Sequence, residues 1–305
     1  MNSLTAPYFH DDEAARTYLE GVRWPNGPIC PHCKAEGGWK IESKEGTKNK
    51  VRPGLYKCAS NECRKPFSVT VGTVFERSKI PLSKWLAAAF LLCSSKKGIS
   101  AHQLHRTLGV TYKTAWFLAH RIRFAMTDTG GGLMGSGGGA VEADETYIGR
   151  KPGRNMRAGA GHKHQVFALV ERGGKVKSRH VTNFTQIKET LASTVSPEAT
   201  LYTDQAKMYR KLGKDFAKHE SVNHSIKEYA RGEAHTNTIE GVFSVFKRGM
   251  IGTYQHCGEQ HLKRYLAEFD FRYNHRAALE INDKARVDHC LEGIGGKRLT
   301  YRTPN

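Results

Sequence analysis

The chain has no long hydrophobic run and no recognisable targeting segment. Its longest uninterrupted apolar stretch is the nine-residue run WLAAAFLLC at 85–93, whereas a helix that crosses a membrane needs about 20 apolar residues. The first residues lack the basic and apolar regions of a secretory signal. The sequence therefore argues against an integral membrane protein and against export, and we expect a cytoplasmic protein.

Acidic residues are scarce relative to basic ones. The 305-residue chain has 29 Asp and Glu against 48 Lys and Arg, which gives a net charge of +19. Such an excess favours a polyanionic partner, and nucleic acid is the commonest. Anionic lipid is the alternative, but no basic amphipathic helix stands out. Because 38% of the residues are hydrophobic, a folded core is expected, and the length predicts about two domains.

The sequence has seven cysteines, an odd number, and no signal peptide is visible. Both observations argue against a disulfide framework. Four of the cysteines form two short pairs, CPHC at 30–33 and CASNEC at 58–63. Each spacing lets two sulfurs reach one ion, and four thiolates suit Zn²⁺. Residues 1–78 are therefore predicted to form a zinc ribbon with strands near 39–42, 54–57 and 67–71. The predicted ligands of its structural zinc are Cys30, Cys33, Cys58 and Cys63; four reduced thiols without metal are the alternative.

Residues 79–128 have the pattern of a helix-turn-helix region. A helix is expected over 81–92, Ser100 can cap a second that ends at Leu108, and Thr111 can cap a third after a turn at 109–110. The third helix has an apolar stripe and carries Arg121 and Arg123 off that stripe. The first turn of such a helix lies near base edges in the major groove. The predicted DNA contacts are therefore Thr111, Tyr112 and Lys113; a small bundle with solvated basic residues is the alternative.

A glycine-rich stretch follows this region. The segment 130–139 reads GGGLMGSGGG, a composition typical of a flexible linker. We therefore predict a linker over 129–140, a catalytic domain over 141–280 and a C-terminal tail over 281–305. A long mobile loop inside one domain is the alternative for the glycine-rich stretch.

Residues 141–250 alternate in the order βββαβαβα, which predicts an α/β domain with a mixed sheet. The expected strands are 141–148, 165–171, 175–181, 200–203 and 220–224, and the expected helices are 185–193, 206–212 and 237–248. Asp144 lies on the first strand, Asp204 ends the fourth, and Glu240 is in the first turn of the last helix. On that helix Glu240, Ser244 and Lys247 share a face beside an apolar stripe.

Three carboxylates in such positions suit one kind of chemistry. Two divalent ions about 4 Å apart can hold the attacking and leaving oxygens of a phosphoryl displacement. Mg²⁺ prefers carboxylate oxygens and keeps some of its waters. A basic chain with three such acids in an α/β domain is therefore consistent with metal-dependent cleavage of nucleic acid.

Several segments resemble those of bacterial insertion-sequence transposases. They are DETYIG at 144–149, YTD at 202–204, HTNTIEG at 235–241, FKRG at 246–249 and RYNHR at 272–276. The chain is similar in particular to the group that has an N-terminal zinc ribbon and is related to the eukaryotic Merlin transposons. The resemblance covers about residues 15–276.

The resemblance implies an RNase H-like catalytic core with a DDE triad formed by Asp144, Asp204 and Glu240. It implies two catalytic Mg²⁺ ions, for which Mn²⁺ can substitute, and contacts of Lys247 and Arg248 with DNA. The implied activity is cleavage at the terminal inverted repeats of an element, followed by strand transfer into target DNA. The implied protein is a homo-oligomer on double-stranded DNA, bacterial and nucleoid-associated.

Some alternatives stay open at this point. Asn237, one helical turn before Glu240, is the other candidate for the third ligand, and Glu142 and Glu145 flank Asp144. A DNA-binding regulator without catalysis would need only the first two modules. An RNase H-like nuclease would share the triad and differ only in substrate.

Overall fold

The computed structural model describes residues 4–43, 50–128, 130–151, 153, 160–206, 208–223, 226 and 230–300. Two compact units make up the chain. The first contains Met1–Ser95, Ile99–Met126 and Ile281–Asn305, and the second contains Lys96–Gly98 and Thr127–Glu280. Within the described residues, none of the helices is both long and apolar enough to cross a membrane.

The helices are α1 Asp12–Arg23, α2 Leu82–Ser94, α3 Ala101–Leu108, α4 Tyr112–Ala125, α5 Phe184–Thr194, α6 Tyr209–Leu212, α7 Asn237–Gly249, α8 Glu259–Asn274 and α9 Asp283–Glu292. The strands are β1 Gly38–Lys40, β2 Tyr56–Cys58, β3 Pro66–Phe67, β4 Ala140–Ile148, β5 His164–Glu171, β6 Val176–Val181, β7 Thr200–Asp204, β8 Lys218–Val222, β9 Ala230–Arg231 and β10 Ala234–His235.

In the first unit, β1, β2 and β3 form an antiparallel sheet in that order. The third strand is shorter than the predicted 67–71 and ends at Phe67. The chain turns directly afterwards, where the Val71 N–H donates to the Ser68 carbonyl and Gly72 adopts a φ of +70°. The ring of Phe67 packs edge-on against Trp24 and stacks on Tyr56, which gives this small sheet an aromatic core.

Helices α3 and α4 are joined by a tight turn. Gly109 ends α3 with a φ of +60°, a conformation that favours glycine, and the Thr111 hydroxyl caps α4 by accepting the Thr114 N–H. The predicted apolar stripe of α4 is buried, and its members are Ala115, Leu118, Ala119, Ile122 and Met126.

Two basic residues of α4 lie in an unexpected environment. Arg121 and Arg123 lie off the apolar stripe, where side chains are expected to face water. Arg121 is nevertheless only 6% exposed, and Arg123 is only 2% exposed. Arg121 donates a hydrogen bond to the Glu76 carbonyl at 2.8 Å and lies over the Trp85 ring. The segment before α2 thus covers a side of α4 other than its apolar stripe. Arg121 packs against that segment and does not face water.

The predicted C-terminal tail is wrong, because residues 281–300 fold onto the first unit. Asn282 caps α9, and α9 packs against α2. The Tyr18 hydroxyl donates to Asp288, and the Arg286 guanidinium reaches the Cys93 carbonyl. The side chains of Cys290 and Leu291 are buried in this contact.

The second unit is built on a five-stranded mixed sheet in the order β6-β5-β4-β7-β8. Strands β4, β5 and β6 are antiparallel neighbours, whereas β7 runs parallel to β4 and β8 runs parallel to β7. Residues of β5 alternate between two cores. Phe167 and Leu169 pack with α5, and Val166 and Ala168 pack with α7 and α8. His224, expected to end the fifth strand, lies outside the described residues.

The predicted flexible linker is wrong for the described part of 129–140, which is packed into the second unit. The Met134 N–H donates to the Thr194 carbonyl, and the Met134 carbonyl accepts the Ser196 N–H, both at 2.8 Å. Gly135 has a φ of +73°, and a Cβ there would lie 2.5 Å from that of Ala199. These glycines permit a close backbone approach, a role that composition does not distinguish from flexibility.

Candidate active site

The register of the central strands brings two of the predicted acids together. Strand β4 pairs with β7 in parallel from Ala140 opposite Thr200 to Glu142 opposite Tyr202. Asp144 and Asp204 each lie two residues beyond the last pair of this register, and the negative charge of Asp204 raises the pKa of Asp144. Each carboxylate accepts a local backbone N–H, Asp144 from Glu145 at 2.7 Å and Asp204 from Ala206 at 2.9 Å.

Helix α7 presents the third acid. Its apolar stripe is buried and consists of Ile239, Val242, Phe243, Phe246 and Met250. The predicted polar face is exposed and carries Glu240, Ser244 and Lys247. The Thr236 hydroxyl donates to the Glu240 carboxylate at 3.1 Å. The helix is therefore anchored by its apolar side while Glu240 and Lys247 remain accessible.

The charges of these residues act on one another. Burial raises the pKa of Asp144 to about 7, and the negative charges of Asp204 and Glu240 raise it as well. The Glu145 backbone N–H and the Lys247 ammonium act in the opposite direction. The three carboxylates thus lie near enough to one another for their charges to interact, and carboxylate oxygens are the ligands that Mg²⁺ prefers.

Glu142 bonds strand β4 to helix α7. Its carboxylate is fully buried, and it accepts the Ile239 backbone N–H and the Thr238 hydroxyl, both at 2.9 Å. The Arg172 guanidinium pairs with the same carboxylate at 2.8 Å and lies over the Tyr202 ring. Glu142 thus faces the helix start, where it positions the element that carries Glu240.

Glu145 has a different partner. Its carboxylate accepts the hydroxyl of Tyr209, a residue that is buried among the apolar side chains behind the sheet. Burial raises the pKa of Glu145 to about 8, the Tyr209 hydrogen bond opposes that shift, and the charges of Asp144 and Asp204 add to it. Side chains alternate along a strand, so Glu145 points away from the face that Asp144 shares with α7.

Asn237, the alternative third ligand, is the first residue of α7 and is exposed. It lies one turn before Glu240, so both side chains are carried by the start of the same helix. The negative charge of Glu240 raises the pKa of Asp144, so the Glu240 carboxylate lies near that acid.

The two predicted cysteine pairs converge in the first unit. The four sulfurs of Cys30, Cys33, Cys58 and Cys63 lie within 4.8 Å of one another. Two of the separations are 3.9 Å, from Cys30 to Cys63, and 3.5 Å, from Cys33 to Cys58. Thiolates around a tetrahedral zinc at 2.3 Å are about 3.8 Å apart. The cluster therefore fits a structural Zn²⁺ with no open position for catalysis.

The predicted DNA contacts are accessible. Thr111, Tyr112 and Lys113 are exposed at the start of α4, and the Tyr112 ring stacks on His102 at a centroid distance of 4.3 Å. Lys247 and Arg248 are exposed near the end of α7, where Arg248 also donates to the Ser244 carbonyl.

Sequence reasoning missed two features of the second unit. Glu142 was noticed only as a neighbour of Asp144, because nothing in the sequence indicates that it caps a helix almost 100 residues later. A group formed by His164, His180 and Glu259 was missed, because its members lie on three elements and share no motif spacing.

Comparison with known proteins agrees with this architecture. Residues 136–274 match the model of an ISXO2-like transposase domain, and residues 10–66 match that of a transposase zinc-ribbon domain. A protein of the transposable element ISH50 from Halobacterium salinarum is 29% identical over 289 residues, which cover 87% of this chain and 91% of that protein. The chain therefore carries a transposase zinc-ribbon domain followed by an ISXO2-like transposase domain, and it is similar to a protein of an insertion sequence.

Proposed function

We propose that Asp144, Asp204 and Glu240 are the catalytic triad of a transposase that cuts DNA and joins the cut end to target DNA. The charge environment of Asp144 carries this proposal, since burial and the carboxylates of Asp204 and Glu240 raise its pKa to about 7. Like charges held together favour protonation of one of them unless a cation lies between them. The chain's net charge of +19 is consistent with a DNA substrate.

The proposed fold of the second unit is RNase H-like. Its support is the order β6-β5-β4-β7-β8, with three antiparallel strands followed by two parallel ones. Asp144 lies on the central strand of that sheet, and Asp204 ends the strand beside it.

In the proposed mechanism Asp144, Asp204 and Glu240 would hold two Mg²⁺ ions, which would activate the attacking oxygen and stabilise the leaving oxygen. Glu142 holds α7 so that Glu240 stays beside Asp144. Lys247, on the exposed face of α7, contacts the DNA backbone. In the first step a water oxygen bonds to phosphorus, and the bond to the 3′ oxygen breaks. In the second step the freed 3′-hydroxyl bonds to a target phosphorus, and the target's own 3′ oxygen leaves.

The first unit is proposed to recognise the inverted-repeat ends of the element. Helix α3, the turn at Gly109 and helix α4 support a helix-turn-helix, with Thr111, Tyr112 and Lys113 near the base edges. The zinc ribbon adds a second DNA-binding module. Because two ends are processed together, the active form is proposed to be a homo-oligomer assembled on DNA.

The full chain, incubated with labelled DNA from either side of its own gene and with Mg²⁺ or Mn²⁺, tests the proposal. We expect nicks at an inverted repeat and joined products, and both are lost in Asp144→Asn, Asp204→Asn and Glu240→Gln. Asp215→Asn is the matched control, because Asp215 is an exposed acid of the same unit.

Other outcomes have defined meanings. If Asn237→Ala abolishes cutting and Glu240→Gln preserves it, Asn237 is the third ligand. Tight DNA binding without cutting under either metal indicates a regulator, and cleavage of RNA in place of DNA indicates a nuclease. Full strand transfer by Asp204→Asn refutes the triad.

A further inference from the structure

Two histidines and one glutamate of the second unit converge away from the three carboxylates. His164 begins β5, His180 is on β6, and Glu259 begins α8. One ligand atom from each residue lies within 4.8 Å of the other two. The group therefore joins the edge of the sheet to the start of a 16-residue helix.

The separations between these atoms are too long for hydrogen bonds. The Nδ1 atom of His164 is 3.9 Å from one Glu259 oxygen, and the Nε2 atom of His180 is 3.8 Å from the other. The His164 side chain is only 4% exposed, and its Nδ1 has no hydrogen-bond partner among the described residues. A buried polar atom without a partner destabilises a fold. A metal ion that accepts the lone pair of His164 Nδ1 would remove this cost.

The donor set is characteristic of a transition metal. Two imidazole nitrogens and one carboxylate are the protein ligands of many zinc sites with an open position. Such ligands around a tetrahedral ion lie about 3.4 Å apart, from bond lengths of about 2.1 Å. The two histidine–carboxylate separations of 3.9 Å and 3.8 Å are longer than this, and each is to a different oxygen of Glu259. Binding of one ion therefore requires the side chains to rotate inward.

A cavity lies beside the group. Its volume is about 550 Å³, and His164 lines it together with Arg150 and Lys151. Water or an anionic oxygen in this cavity can complete the coordination of an ion on the three residues. His164 pairs with Ile148, four residues beyond Asp144 on β4, which is about 13 Å along the strand, so this group is separate from the three carboxylates.

We propose that His164, His180 and Glu259 bind a second zinc ion, distinct from that of the four cysteines and from the catalytic ions. It clamps α8 to strands β5 and β6. Its remaining coordination position is open to a water molecule or an oxygen anion. The proposal does not depend on the assignment of the triad.

Zinc content and Co²⁺ spectra of the full chain test it. After equilibration with Zn²⁺ and removal of the excess, elemental analysis is expected to find two zinc ions per wild-type chain and one per chain of Glu259→Gln or His180→Asn. Glu259 is exposed, so its replacement leaves the buried core intact. With Co²⁺, both variants keep the thiolate charge-transfer band of the cysteine site and lose d–d absorption from the second site.

The matched control is the double variant His289→Asn and Glu292→Gln, which removes a surface histidine–glutamate pair 3.2 Å apart on the first unit. It is expected to retain two zinc ions. One zinc per wild-type chain at saturation, or the same content and spectrum in Glu259→Gln and His180→Asn, overturns the proposal and leaves the group as a set of ion pairs.

Discussion

The carboxylate of Glu142 accepts the backbone N–H of Ile239 at 2.9 Å, so the strand that carries Asp144 is bonded directly to the helix that carries Glu240. The acceptor lies two residues before Asp144, and the donor lies next to Glu240. Arg172 adds to this contact, because it pairs with Glu142 and donates a hydrogen bond to the His235 carbonyl at 3.0 Å. The geometry of the proposed triad therefore depends on a buried acid outside it.

Glu142→Gln is expected to weaken the contact between β4 and the start of α7. The amide keeps the shape but loses the charge that pairs with Arg172, which lowers the free energy of unfolding by about 1–3 kcal/mol. The Mg²⁺ concentration for half-maximal cleavage is expected to rise, because Asp144 and Glu240 are no longer held together. Urea unfolding and cleavage over a Mg²⁺ series measure both effects.

The matched control for Glu142 is Glu189→Gln on the exposed face of α5, which should change neither quantity. An unchanged Mg²⁺ dependence in Glu142→Gln, with lower stability alone, assigns Glu142 a purely structural role.

The raised pKa of Asp144 predicts a pH dependence of stability in metal-free protein. Its pKa is about 7 in the folded chain against 3.8 ordinarily, so the folded state binds the extra proton between these values. Stability therefore falls as pH rises from about 4 to 7. Asp144→Asn removes this loss and is expected to raise the metal-free unfolding free energy at pH 8 by on the order of 2 kcal/mol.

The measurement is urea unfolding of both proteins at pH 5.5 and pH 8 in a chelating buffer. Added Mg²⁺ is expected to stabilise the wild type at pH 8 and to have little effect on Asp144→Asn. If the variant is no more stable than the wild type at pH 8, neither burial nor the neighbouring carboxylates destabilise the Asp144 charge.

Periodicity predicted the longer elements of the second unit up to about residue 250, but it did not predict α8 or the two short strands β9 and β10. The expected strands and helices lie within a few residues of β4 to β8, α5 and α7, because each has a clear apolar alternation or stripe. The expected helix over 206–212 is the exception, since α6 begins only at Tyr209. Asp144 lies within β4, Asp204 ends β7 and Glu240 is in the first turn of α7; the motif resemblance is what singled out these three acids.

Other features depend on contacts that local sequence does not encode. Composition predicted flexibility for the glycine-rich stretch, yet Gly135 is required there by the close approach of Ala199. Residues 281–305 have weak periodicity, and α9 gains its partner only from α2, about 190 residues earlier. Arg121 has a charge typical of a surface, but the Trp85 ring and a backbone carbonyl make its burial favourable.

Removal of zinc from the cysteine cluster is expected to unfold the ribbon. The three short strands bury too little apolar surface to fold without the ion. Cys58→Ser should therefore lose one zinc ion and weaken binding to the inverted repeat at least tenfold, by elemental analysis and fluorescence anisotropy. Cys257→Ser, outside the cluster, is the control; unchanged end binding by Cys58→Ser excludes the ribbon from recognition.

The exposed residues at the start of α4 are expected to contribute to binding of the inverted repeat in two ways, through contacts with phosphates and through contacts with bases. Lys113→Ala is expected to weaken binding to all DNA sequences and to lower the slope of log affinity against log salt by about 1, if Lys113 neutralises one phosphate. Tyr112→Ala should instead reduce the preference for the inverted repeat over random DNA, since a side chain at a base edge contributes about 1–3 kcal/mol of discrimination. Anisotropy titrations at several salt concentrations separate the two effects. Lys188→Ala, an exposed change on α5, is the control, and a helix-turn-helix is refuted if both α4 variants match it.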